Sequence, residues 1–332
     1  GSPYPMSLQS HPHWRDVLEL FKPVTWFPPM WAFMCGVVST GAAGWQHWPY
    51  IFGGVILAGP MVCAASQAVN DWYDRHVDSI NEPNRPIPSG RIPGRWGFYL
   101  GVFWSVASLG LGALLGTWAF VATVVAVGLA WLYSAPPVRF KEDGWSGPAV
   151  VGIAYEGVAW FTGAAVIVAA LPGPYILAAV LLYSLGAHGI MTLNDFKAIE
   201  GDRVSGVRSL PVRLGVEKAA WVACAIMIGA QLIVIAGLLY IEMFVHGAIV
   251  TALVLAQVWL MRIMMRAPEE KAPWFNATGT LLYVIGMLVT ALALGSIDGG
   301  PGWTMTRPNQ TSVGSESSDL ALFKQRSVRS SS

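Results

Sequence analysis

Nine stretches of this chain are apolar over about the 20 residues that a helix needs to cross a bilayer. They run roughly 24–44, 49–70, 96–116, 117–133, 148–170, 174–195, 217–238, 243–262 and 274–296. No other feature limits the fold as strongly, because only helices or closed barrels satisfy their backbone polar groups in hydrocarbon. Runs of this length are the helical signal. Composition agrees: 54% of residues are hydrophobic and 12% charged, too few charges to solvate a globular surface of this size. The expectation is an all-α, polytopic membrane protein of about nine transmembrane helices. The segment 1–23 reads as a cytoplasmic N-terminal piece, 24–296 as the membrane domain and 297–332, polar and Ser-rich, as a disordered tail. No secretory signal pattern is visible, since Trp14, Arg15 and Lys22 precede the first apolar run.

The 20 Lys and Arg residues set an orientation. Arg15 and Lys22 precede the first span. Arg75, Arg85, Arg91 and Arg95 lie between the second and third, and Arg139 and Lys141 between the fourth and fifth. Lys197, Arg203, Arg208, Arg213 and Lys218 lie around the sixth connection, and Arg262, Arg266 and Lys271 around the eighth. The alternate connections hold none. The positive-inside rule puts the N-terminus and the loaded loops in the cytoplasm. Nine spans then put the C-terminus outside, against which the four cations of the tail weigh. A net charge of +1 gives no general attraction to nucleic acid. Cys35, Cys63 and Cys224 have no metal-ligand spacing and read as small buried hydrophobes.

Two of the loaded loops repeat one another. Asn70, Asp71, Trp72 and Asp78 recur as Asn194, Asp195, Phe196 and Asp202, all at an offset of 124 residues. Each set starts where a long apolar span ends, and each is followed by Arg and Pro. The chain therefore reads as two four-helix repeats plus a ninth helix, around a central cavity with its site at the repeat interface. Asn70, Asp74 and Asp78 stand at i, i+4 and i+8, within an arc of about 80° on a helix, with Asp71 near the same face. Asn194 and Asp202, with Asp195 or Glu200, form the second set. Crowded carboxylate and amide oxygens repel one another unless a cation joins them, and they are hard ligands suited to Mg²⁺. Facing acidic sets with Arg85, Lys197 and Arg208 nearby make a receptor for Mg²⁺ and a diphosphate. A solvated loop with a helix-capping acid is the plain alternative for any one of these residues. The same holds for the turn Arg85-Pro86-Ile87-Pro88-Ser89-Gly90, which otherwise holds Arg85 over the metal site.

At these residues the chain resembles the UbiA superfamily of intramembrane prenyltransferases, whose Asn-x-x-x-Asp-x-x-x-Asp pattern is met by Asn70, Asp74 and Asp78. The stretches NDWYDRHVDSINEPNRPIPSG at 70–90 and NDFKAIEGDRVSGVRSLPVRLG at 194–215 resemble the (bacterio)chlorophyll synthase branch, and RIPGRWGFYLG from Arg91 leans toward its bacteriochlorophyll members. The likeness covers roughly 13–296. Many members carry a second motif of two Asp four residues apart. Here Ala198 takes the first position and Asp202 the second, with Asp195 and Glu200 nearby. The resemblance implies Mg²⁺-dependent transfer of a geranylgeranyl or phytyl group from its diphosphate to the 17-propionate carboxyl of bacteriochlorophyllide a. Asn70, Asp74, Asp78 and Asp202 would be catalytic. It also implies the inner membrane of a photosynthetic bacterium, a site facing the cytoplasm and an association with photosynthetic assembly proteins. The residues agree with that chemistry: the nucleophile is already an ionised carboxylate, so no strong base is required.

Other residues are candidates on physical grounds. Glu156, an acid inside the fifth span, is a functional candidate by default and could orient the tetrapyrrole or pair with another helix. His188 could ligate the tetrapyrrole's central Mg, or could hydrogen-bond between helices. Tyr133 and Arg139 could touch the diphosphate or cover the site, or belong to a plain loop. Competing functions are the same transfer to chlorophyllide, a hydroxybenzoate or haem, a cation transporter, and a non-catalytic pigment-binding protein. A transporter would need its acids near the bilayer midplane rather than at span ends.

Overall fold

The computed structural model describes residues 10–42 and 44–297. The polar tail from 298 onward and the first nine residues lie outside this range, and with them the tail expectation and its four cations. The described residues form an all-helical array. Helix α1 is Trp14–Phe21 and α2 Phe27–Ser39. Then come α3 Trp48–Tyr73, α4 Arg75–Asn81, α5 Trp96–Leu115, α6 Thr117–Ser134 and α7 Ser146–Val168. Next are α8 Pro174–Asn194, α9 Ile199–Ser205 and the short α10 Leu210–Leu214. The last three are α11 Val216–Tyr240, α12 Phe244–Met264 and α13 Pro268–Gly295.

Eight of the nine apolar stretches yield helices long and apolar enough to cross a membrane. The first differs. Pro23 opens a 3₁₀ turn over Pro23–Thr25, Pro28 and Pro29 start the helix proper, and α2 has 13 residues. At 1.5 Å per residue that is about 20 Å, short of a hydrocarbon core of about 30 Å. Helix α2 is instead embedded among its neighbours by close backbone approach. A Cβ on Gly36 would lie 2.0 Å from Trp160 O, and one on Gly163 would lie 2.0 Å from Phe33 O. Small residues on both faces let α2 and α7 touch backbone to backbone.

The division between the third and fourth stretches falls at Gly116. Its φ of 138° is open to glycine and strained for any side chain, so the chain turns there between α5 and α6. One turn earlier Gly112 admits Thr123, whose Oγ1 would lie 2.5 Å from an added Cβ. The second half is tied by buried polar contacts. Tyr183 of α8 donates to Gly286 O at 3.0 Å, and Tyr283 of α13 donates to Tyr183 O at 2.7 Å. Such bonds contribute about 0.6–2 kcal/mol each in a bilayer. The three cysteines are buried and free, as expected.

Two helices carry a wider π segment, Leu57–Cys63 within α3 and Ile153–Val158 within α7. Insertions of this kind shift the residues after them around the helix and are frequent at functional sites. Both flank the central cavity.

Candidate active site

Helix α3 ends at Tyr73, and Asp74 interrupts it with φ −93° and ψ 0° before α4 begins. The backbone ladder still passes through: Asp74 N donates to Asn70 O at 3.0 Å and Asp78 N to Asp74 O at 2.8 Å. The stripe of Asn70, Asp74 and Asp78 therefore survives the break. Asp71, Asp74 and Asp78 are all buried. Buried carboxylates are stable only when paired, and each of these has its own cation. Lys22 Nζ lies 2.6 Å from Asp71 Oδ1. Arg85 donates to Asp78 Oδ2 at 3.1 Å and lies 3.9 Å from Asp71. Arg139 donates to Asp74 Oδ1 at 3.1 Å, and Lys141 pairs with Asp74 Oδ2. Lys141 also donates to Asn70 Oδ1 at 3.1 Å, and Ser134 donates to the same oxygen at 3.3 Å. Burial pushes the Asp78 carboxyl above its ordinary value, against the pull of Arg85. Asp71 Oδ2 is shut off from solvent with no partner.

The second set is less regular. After Asn194 the chain tightens into a 3₁₀ turn over Asp195–Ala198 before α9. That change of pitch takes Asn194 and Asp202 off a single stripe. Asp195 and Asp202 are half-buried and within electrostatic reach of Lys141. Tyr133 is within electrostatic reach of Asp74 from the first set and of Asp195 and Asp202 from the second. Tyr133 and Lys141 thus stand within electrostatic reach of both motifs. Asn194 and Lys197 are exposed, with Lys197 close enough to act on Asp195. Glu200 is turned to solvent, its side chain 81% exposed and paired with Arg203 at 2.8 Å. Arg208 is exposed; its backbone pairs with Asp143 and its N donates to Glu142 O at 2.8 Å. This contact ties the second-motif loop to the loop that carries Arg139 and Lys141. Asp143 Oδ2 accepts from Ser146 N, at the start of α7, at 2.7 Å and from Ser146 Oγ at 2.7 Å, and these bonds hold its carboxyl below the ordinary range.

A cavity of about 670 Å³ starts from this polar end. Asn70, Lys141, Asn194 and Tyr133 line one part of it, and most of the remaining wall is aliphatic and aromatic. One wall is polar: Tyr155 Oη lies 3.1 Å from Ser66 Oγ and accepts from Gln67 at 3.3 Å and from Cys63 at 3.4 Å. Glu156 also lines the cavity. His188 is engaged within the protein, its Nε2 2.9 Å from Trp145 O and its ring stacked on Trp145.

The spacing of the acids is a local sequence signal, whereas Lys22 and Lys141 enter the sequence reading only as orientation charges. Their sequence distance from the motif, 49 residues for Lys22 and 67 for Lys141 to Asp74, leaves no local signal. Among the described residues no group of three or more His, Cys, Asp or Glu converges as a ready-made metal site. The oxygens instead alternate with cations. Such a donor set fits Mg²⁺ that takes one or two carboxylates and completes its shell with phosphate oxygens, and the unpartnered Asp71 Oδ2 adds a free hard donor.

The pattern of the UbiA prenyltransferase family matches residues 28–282. The bacteriochlorophyll synthase 33 kDa chain of Cereibacter sphaeroides is 54% identical over 290 residues, covering 87% of this chain and 96% of that one. The chloroplastic chlorophyll synthase of Avena sativa is 37% identical, covering 84% of this chain and 76% of its own. Among solved structures, a UbiA homologue from Archaeoglobus fulgidus bound to GPP and Mg²⁺ superposes with a TM-score of 0.64 at 22% identity, over 85% of this chain and all of that one.

Proposed function

The chain belongs to the UbiA prenyltransferase family, and on that premise we propose that it transfers a geranylgeranyl or phytyl group from its diphosphate to the 17-propionate carboxyl of bacteriochlorophyllide a. It is a multi-pass membrane prenyltransferase of the bacteriochlorophyll synthase branch. The observation that carries the substrate reading is the placement of Lys141. It bonds Asn70 and Asp74, lies within reach of Asp195 and Asp202, and stands at the polar end of an otherwise apolar cavity.

The residues divide the work by chemistry. A prenyl diphosphate enters with its anion toward Asn70 and Asn194 and its chain along the apolar wall. Lys22, Arg85, Arg139 and Lys141, now paired with the motif carboxylates, supply positive charge to the diphosphate, with Lys197 and Arg208 at the exposed rim. Mg²⁺, held by Asn70, Asp71, Asp74 and Asp78 on one side and by Asn194, Asp195 and Asp202 on the other, would neutralise the charge that develops on the leaving diphosphate. As the C1–oxygen bond breaks, the cation-like C1 is kept from water by the cavity wall. A carboxylate oxygen of the acceptor then bonds to C1, giving the ester and free diphosphate. Fixed cations at the point where charge develops account for the largest share of the rate. Glu200, paired with Arg203 in solvent, takes no part in this arrangement.

The polar end belongs on the cytoplasmic side of the inner membrane of a photosynthetic bacterium, where the diphosphate is available and pigment assembly proteins can receive the product. The test is turnover. Purified protein is given Mg²⁺, geranylgeranyl diphosphate and either bacteriochlorophyllide a or chlorophyllide a, and the esterified pigment is separated by chromatography. Product from bacteriochlorophyllide alone is expected. Product from chlorophyllide alone keeps the mechanism and overturns the acceptor. No product from either, in folded protein, favours a pigment-binding role.

A further inference from the structure

Glu156 lies in the π segment Ile153–Val158 of α7, beside Tyr155, and lines the cavity. Its Oε2 is shut off from solvent without a hydrogen-bond partner. Among the described residues neither carboxyl oxygen receives a hydrogen bond or an ion pair, while every carboxylate of the first motif has a cation. An acid left alone in an apolar cavity is costly unless something that enters supplies its partner. The neighbouring side chain shows the contrast: Tyr155 is held by Ser66, Gln67 and Cys63, all from α3. Within the same segment the π insertion therefore presents one group already satisfied and one left open.

The two substrates offer Glu156 different chemistry. The prenyl chain is hydrocarbon and offers nothing. The diphosphate is an anion and is served by the cations at the other end. The tetrapyrrole acceptor carries carbonyl groups at its periphery, which can accept from a carboxyl O–H, and at its centre one Mg²⁺ with an open axial position. A carboxylate oxygen is a hard donor suited to that ion. His188, the other candidate for this role, spends its Nε2 on Trp145 O and stacks on the Trp145 ring.

We propose that Glu156 is the axial ligand of the magnesium at the centre of the acceptor macrocycle. The bond formed is Mg–O: the carboxyl gives up its proton to the axial water it displaces, which carries that proton to solvent, and no electron is transferred. It holds the macrocycle by its centre and leaves the propionate free to reach the prenyl C1. It also makes the enzyme selective for a metallated pigment. This rests on the bacteriochlorophyllide reading of the acceptor.

The test compares binding of bacteriochlorophyllide a with its magnesium-free counterpart to wild type, Glu156→Ala, Glu156→Gln and Glu156→Asp. It also records the visible absorption of the bound pigment, which responds to the coordination number of the magnesium. Wild type is expected to bind the magnesium pigment at least about tenfold more tightly than the metal-free one, a difference of about 1.4 kcal/mol. Ala and Gln should lose that preference and the ligation band together, and Asp should restore part of both. If Gln keeps the binding of both pigments while Ala loses both, Glu156 is a hydrogen-bond partner for a carbonyl and the axial assignment is wrong. If every variant keeps the magnesium preference and the spectrum, the assignment is also overturned. Wild type that neither binds nor esterifies bacteriochlorophyllide overturns the acceptor reading itself, a result separate from any of these.

Discussion

Lys141 donates to Asn70 Oδ1 at 3.1 Å, and so the loop after α6 puts its cation on the first residue of the motif at the end of α3. The same ammonium pairs with Asp74 and stands within reach of Asp195 and Asp202. One ammonium thus bonds the first acidic set and acts electrostatically on the second.

Replacing Lys141 by Met is expected to lower kcat/KM for the prenyl diphosphate by about 10²–10³, the usual cost of removing one charge-stabilising group. Lys141→Arg should recover part of it, since the charge remains while the point geometry changes. Steady-state kinetics at saturating acceptor measures this. Wild-type kinetics in the Met variant would remove Lys141 from the site.

Asp74→Ala and Asp78→Ala are expected to abolish turnover while the protein still elutes as a folded species in detergent. Full activity in either variant contradicts their assignment to metal. Asp202→Asn should raise the Mg²⁺ concentration needed for half-maximal rate. An unchanged titration counts against a metal role for the second set.

Helix α1 is fastened to the loop after the first motif by Arg91, which lies 2.7 Å from Asp16 Oδ1 and also pairs with Glu19. Lys22, at the C-terminus of α1, reaches Asp71 from this platform. The Arg91 hydrogen bond holds the Glu19 carboxyl below its ordinary value of 4.5. A carboxyl lowered in the folded state stabilises it above the unfolded value, and that contribution fades as the pH falls through the folded value. Docking of α1 should therefore weaken below about pH 4.5 in wild type, by a small amount because the pair is largely exposed. Hydrogen exchange of α1 followed against pH reads it. Arg91→Ala should give faster exchange at neutral pH and remove the pH dependence that comes from Glu19.

His188→Ala is expected to cost about 1–3 kcal/mol of stability, because Trp145 O loses its partner in a buried site. Bound-pigment absorption should not change. A thermal melt and a spectrum of the same sample separate the two effects, and loss of the ligation band would return the axial role to His188.

The motif acids were legible because their spacing is local: residues four apart share a helix face, and the ladder through Asp74 keeps that face continuous. The second set was legible as a list and less so as a shape, since the 3₁₀ turn at Asp195–Ala198 alters the pitch without an obvious sequence mark. Gly116 fixes the α5–α6 turn, and Gly112 one turn earlier admits Thr123. Hydropathy sees one apolar run over 24–44, whereas backbone geometry starts the helix at Phe27, with Pro28-Pro29 in its first turn, and ends it at Ser39.

By itself, the sequence determined the class of molecule, the helices and the two acidic sets, because hydrophobic length and i, i+4 spacing are properties of a single segment. Only the tertiary structure decided which cation meets which acid, that His188 is satisfied by Trp145 and that Glu156 stands open in the cavity. Those outcomes depend on contacts between segments far apart in the chain. There, the cost of burying an unpaired charge is met or left unmet by helix packing, which no local pattern encodes.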